Sequence, residues 1–170
     1  MDCFNTKSND IDLTMAVNNK LTKEQKGKIG NLFIDYQKNF KNKLEISAVT
    51  SAAAKEIKYP PEYELNFPDE QGGYNAGGDD ANLITDFVMI RKRGMTLRGR
   101  SLEDVFSPVP DGLFLKAVIK DFEWCFNNVI RGEDEGKCRV PLYAVLKFCR
   151  ALAFSKEKII ASKKKGVNGQ

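Results

Sequence analysis

The chain has 170 residues, 42% of them hydrophobic and 29% charged, with 27 Lys and Arg against 23 Asp and Glu. This is enough for one ordinary domain or two small ones with a real core; no apolar run is long enough to span a bilayer and no signal peptide opens it, so it reads as globular and cytoplasmic. His is absent, which excludes Ser-His-Asp and Cys-His catalysis, and Cys3, Cys125, Cys138 and Cys149 lack CxxC spacing, which points to reduced, mostly buried thiols rather than a zinc site.

In chain order, Asp10 to Val17 reads as a strand, opened by the Asp-x-Asp pair Asp10 and Asp12. Thr22 with Gln25 three residues on is a capping signature for a helix through about Phe40. Leu44 to Val49 is the next strand and carries Glu45. Strand, helix and strand make a right-handed crossover, which lets both strands lie in one sheet with their acids at one edge. Side chains two apart on a strand share a face, so Asp10 and Asp12 converge, with Glu45 beside them. Three acids facing one cleft repel unless a cation sits among them, and hard oxygen donors on rigid elements suit Mg²⁺ and phosphoryl or nucleotidyl transfer. The bland alternative makes the Asp pair solvated turn residues and Glu45 a residue of a wet sheet face.

Tyr59-Pro60-Pro61 then stops regular structure, and Tyr63 to Phe67 alternates as a short extra strand. Gly72 to Gly78 reads as a flexible surface loop. Asn82 to about Arg93 is expected to be helical and to end at Gly94, with Met95 to Leu97 as a last short strand. Ser107-Pro108-Val109-Pro110 marks a domain boundary, giving domains 1–107 and 108–170. Beyond it the pattern is all-helical. Val118, Phe122, Cys125 and Val129, flanked by Ile119, Phe126 and Ile130, form one core stripe; Pro141 opens a second helix whose stripe is Leu142, Val145, Leu146, Cys149 and Leu152. Charge divides along the same line. Residues 1–107 carry 15 Lys and Arg against 16 Asp and Glu, and residues 108–170 carry 12 against 7, so an acidic, metal-collecting part precedes a basic, phosphate-collecting one. Lys163-Lys164-Lys165 read alone is a solvated end.

The segments Cys3 to Asp12, Leu44-Glu45-Ile46, Tyr59 to Leu65, Arg91 to Gly94, Val105 to Pro110, Val140 to Arg150 and Ser162 to Lys164, taken in order and spacing, resemble the aminoglycoside nucleotidyltransferases that adenylylate streptomycin and spectinomycin (the 3''/9 type with a helical C-terminal domain). The resemblance implies an α+β fold: an N-terminal nucleotidyltransferase domain of the polymerase-beta-like kind with a mixed sheet, followed by a helical bundle. It implies an enzyme that uses ATP and Mg²⁺ to transfer AMP to a hydroxyl of an aminoglycoside or aminocyclitol antibiotic and so confers resistance. Asp10 and Asp12 would bind Mg²⁺, Glu45 would be the general base, and Arg150 and Lys163 would hold the nucleotide's phosphates. The expected partner is a small molecule, with no membrane and no nucleic acid, and association between copies through an open sheet edge is allowed for.

Departures from the family pattern accompany the match. The Gly-Ser loop that precedes the family's first strand has no counterpart here, Asn9 replaces the Ser before the first metal Asp, and Asp86 stands where relatives commonly carry His. Val140 stands where some relatives have a drug-contacting polar residue, and the chain reads as a member trimmed at both ends. Two alternatives follow: a catalytically impaired remnant that still binds nucleotide, and a small nucleotidyltransferase of toxin–antitoxin type, whose mark would be salt-dependent affinity for RNA.

Overall fold

A computed structural model describes residues 10–69, 71–129, 145, 148, 149 and 152. The chain divides into two compact units between Val109 and Pro110, each taken by itself below.

The first unit is mixed α+β. Strand β1 (Ile11–Val17) leads to helix α1 (Lys23–Asn39) and strand β2 (Leu44–Thr50), with β1 and β2 parallel. The capping box at the start of α1 is present in full: Gln25 N–H donates to the Thr22 hydroxyl, and Thr22 N–H donates to the Gln25 side chain. That satisfies two of the amides a helix start leaves without partners. The other end is fixed by Gln37, whose side-chain amide donates to the Asn42 and Phe40 carbonyls while its oxygen accepts from Leu44 N–H at 2.7 Å.

Helix α2 (Ser51–Lys55) follows β2 directly, capped by the Thr50 hydroxyl. The single strand expected over Tyr63 to Phe67 is two, β3 (Glu62–Tyr63) and β4 (Leu65–Phe67), in different sheets. Alternation breaks at Glu64: both Glu64 and Leu65 are buried, so the backbone cannot stay a regular pleat there. The main sheet has the order β1-β2-β4, with β4 antiparallel to β2. The expected glycine loop is partly tied down. Asn66 and Asn75 exchange backbone bonds, and β5 (Gly78–Asp79) pairs with β3. Gly77 and Gly78 take φ of +110° and +155°, which other residues adopt only at a cost.

Helix α3 (Asn82–Arg93) ends at Gly94 as expected. The strand expected at Met95 to Leu97 does not form; Met95 and Leu97 are exposed, without a neighbouring edge to bury them against. A short helix α4 (Leu102–Val105), capped by Ser101, follows.

Two apolar clusters hold this unit together. Leu44, Ile46, Ala48, Leu65 and Phe67 pack beneath Ile29, Phe33 and Ile34 of α1 on one face of the sheet. Val49, Ala54, Leu83, Phe87, Val105 and Phe106 form the second. Since Leu44, Ile46 and Ala48 face α1, Glu45, Ser47 and Val49 face the other way.

In the second unit helix α5 spans Asp111–Val129. Phe114, Ala117 and Cys125 are its buried residues, while Ile119, Phe122 and Phe126, expected in the core, are 40–48% exposed. Of the expected stripe Cys125 is buried, and it is joined by Phe114 and Ala117 rather than by the flanking Ile119 and Phe126. The second helix predicted beyond Pro141 lies largely outside the described residues. Val145, Phe148, Cys149 and Leu152 are helical, and the Phe148 ring lies 4.3 Å from that of Phe122.

Candidate active site

The sheet face turned away from α1 changes character along its length. Parallel register pairs Asp12 with Glu45, Thr14 with Ser47 and Ala16 with Val49. Partners in register on neighbouring strands lie about 5 Å apart with side chains on the same side. The face therefore begins with acids, continues through Thr14, Ser47 and Asn66, whose side chains include a Ser47–Asn66 hydrogen bond of 3.4 Å, and ends in the apolar cluster around Val49. Asp10 stands one residue before β1 and is exposed; it continues the alternation that puts Asp12 on this face.

The start of β2 is tied in two ways. Ile11 N–H donates to the Lys43 carbonyl at 2.8 Å, and Gln37 holds Leu44 N–H. Glu45 is thereby set beside Asp12 by backbone geometry. Its own side chain is turned to Lys43, with Nζ and Oε1 2.5 Å apart. Lys43 is held above its usual pKa, first by this hydrogen bond and also by the charges of Glu45, Asp10 and Asp12, which outweigh partial burial. Among the described residues no three acids, cysteines or histidines stand close enough together to hold a metal between them. Mg²⁺ does not require that: it is commonly held by one or two carboxylates together with substrate phosphates and water. Asp10 and Asp12 supply two hard oxygen donors of the right kind. Arg150 and Lys163 lie outside the described residues.

The sequence did not single out Lys43, Gln37 or Glu64. Lys43 had a signal, since Lys-Leu-Glu on a strand puts the two charges on one face; Gln37 had none. Glu64, in the break between β3 and β4, is nearly buried and accepts from Lys26 Nζ at 2.9 Å and from Leu21 N–H at 3.1 Å. Burial raises its pKa, but the Lys26 and Leu21 hydrogen bonds and the charges of Lys26 and Lys20 win and hold it below the usual carboxylate range. This pair floors an open cleft of about 450 Å³ edged by Lys20, Glu62, Tyr63 and Asp79. It adjoins the loop after β1, at the opposite end of that strand from the acids, and joins α1 to the strand β4 follows from.

Residues 104–168 match the family described as aminoglycoside adenylyltransferase, C-terminal domain. No curated protein matches the sequence. Among solved structures, the spectinomycin adenyltransferase AAD(9) from Enterococcus faecialis, crystallised with ATP and spectinomycin, superimposes with a TM-score of 0.72 at 16% identity, over 94% of this chain and 66% of that one. The chain thus spans slightly under two thirds of that structure's length. Its α+β architecture is the fold of that enzyme, and residues 104–168 are similar to the C-terminal domain of the aminoglycoside adenylyltransferases.

Proposed function

We propose that the protein is a nucleotidyltransferase that uses ATP and Mg²⁺ to adenylylate a hydroxyl of an aminoglycoside or aminocyclitol antibiotic, and so protects against it. The observation that carries this reading is the register pairing of Asp12 with Glu45 on the open face of a sheet whose fold matches an enzyme crystallised with ATP and spectinomycin.

In this reading Asp10 and Asp12 hold the Mg²⁺ that rides on the nucleotide. Bound there, the ion neutralises charge on the phosphoryl oxygens. Glu45 takes the proton of the drug hydroxyl as that oxygen bonds to the α-phosphorus; the bond from α-phosphorus to the bridging oxygen breaks, and pyrophosphate leaves with the electron pair. Arg150 and Lys163 are the proposed holders of the phosphates, in keeping with the basic excess of residues 108–170.

The test is transfer of labelled AMP from ATP to spectinomycin and to streptomycin with Mg²⁺ present, run beside Glu45→Gln. Transfer in the parent that Glu45→Gln reduces supports the reading; transfer that survives the substitution undiminished removes Glu45 as the base. The ion pair of Glu45 with Lys43 favours a second reading, a nucleotide-binding protein whose base is sequestered. Mg²⁺-dependent ATP binding without AMP transfer to either drug would establish that one.

A further inference from the structure

Lys43 is the cation paired with Glu45 at the acidic edge. Its ammonium pairs with Glu45, and it lies within the fields of Asp10 and Asp12. Its backbone is anchored as well: its carbonyl takes the Ile11 amide, and the residue after it is clamped by Gln37. A lysine so placed does not merely drift near the cluster. Two residues before Glu45, it reaches the same face, and the Lys-Leu-Glu spacing holds it there for as long as β2 keeps its register.

We infer that Lys43 is a tethered counter-ion of the acidic edge: its ammonium neutralises the cluster when no divalent cation is bound, and it is displaced from Glu45 when one arrives. This rests on the reading of Asp10 and Asp12 as cation ligands. A monovalent charge on a flexible stem and a divalent ion on the nucleotide compete for the same carboxylate field. Displacing Lys43 also frees the Glu45 oxygen that it covers, so cation arrival and exposure of the base become one event. A nucleotide bound without its divalent ion would then meet a masked base.

Lys43 and Glu45 side chains are 53% and 45% exposed. The competition is therefore of the size of a solvated ion pair, and removing it should tighten cation binding about two- to five-fold. The test is Mn²⁺ binding to the full chain in the absence of nucleotide, read by electron paramagnetic resonance of the free ion. The variants are Lys43→Met, Lys43→Arg, Lys41→Met and the double variant Asp10→Asn/Asp12→Asn, each checked for a native melting curve. Lys43→Met should bind Mn²⁺ more tightly than the parent, Lys43→Arg should match the parent, and Lys41→Met, which removes an equal charge from the neighbouring loop, should gain less than Lys43→Met. Unchanged or weaker binding in Lys43→Met overturns the inference, as does an equal gain in Lys41→Met or in Lys43→Arg. If the parent binds no more Mn²⁺ than the double Asp variant, the cation-ligand reading falls and the inference falls with it. If the Asp pair matters and Lys43→Met does not, only the inference falls.

Discussion

Glu45 and Glu64 stand in similar local sequences, each between two large apolar residues, yet the fold gives them opposite settings. Glu45 lies half-exposed in register with Asp12, whereas Glu64 is nearly buried against Lys26. The sequence shows the first because Asp10 and Asp12 form a pattern with it. It hides the second, because the partner lies 38 positions away on α1 and nothing local marks it. Replacing Glu45 by Gln should lower any AMP transfer by about 10²-fold or more, the usual worth of a positioned base, with the melting temperature kept. Asp10→Asn and Asp12→Asn should each weaken Mg²⁺-dependent ATP binding, measured by calorimetry, and leave the fold intact; unchanged affinity in both would remove the metal assignment. Glu64→Gln should instead cost about 2 kcal/mol of stability. The pH dependence has a definite sign. A carboxylate whose pKa is depressed on folding stabilises above its unfolded value, near 4.3, and that contribution is lost as pH falls through the lower folded value. Denaturation at a series of pH values should therefore show the parent losing more stability than Glu64→Gln between about pH 5 and the folded value, and parallel profiles would contradict the pairing.

The elements most legible in the sequence were those with local instructions. The capping signature at Thr22 and Gln25 placed the start of α1, and the acid-bearing strands emerged with the predicted parallel crossover. The errors fell where tertiary contacts decide. Tyr63 to Phe67 split at Glu64 because an ion pair, not alternation, sets the backbone there. Met95 to Leu97 found no edge to join, and α5 leaves Ile119, Phe122 and Phe126 largely exposed while Phe114 and Ala117 join the expected Cys125 in the core. Gly30 in the middle of α1 is a further case: it is buried, and a methyl group there would overlap the Tyr74 ring. Alanine ordinarily stabilises a helix interior by about 1 kcal/mol over glycine. Here Gly30→Ala should destabilise instead, since Tyr74 must leave its place on the cluster; a raised melting temperature would show that the ring moves aside freely.

Within the first unit, β2 is the centre of the sheet. Among the described residues it pairs on both sides and contributes to both apolar clusters, while β1 pairs only with β2 and has no residue fully buried. Hydrogen exchange should accordingly find β2 amides the slowest of the sheet and those β1 amides that point away from β2 much faster, because opening follows the least-packed strand. Equal protection across β1 and β2 would mean that another segment covers that edge. No helix of the described residues is long and apolar enough to cross a membrane.

The Gln37 clamp has a consequence for which changes in chain length the protein tolerates. One side chain reads Phe40, Asn42 and Leu44 at once and so acts as a ruler for the connection between α1 and β2. A single residue added or removed there would either break all three bonds or slide β2 by one position. In the second case the odd and even faces exchange, Glu45 turns into the oily space beneath α1, and Leu44 takes its place in water. Surface connections usually absorb length variation with little harm. This one should not: a one-residue insertion at Lys41 would be as damaging as a core substitution.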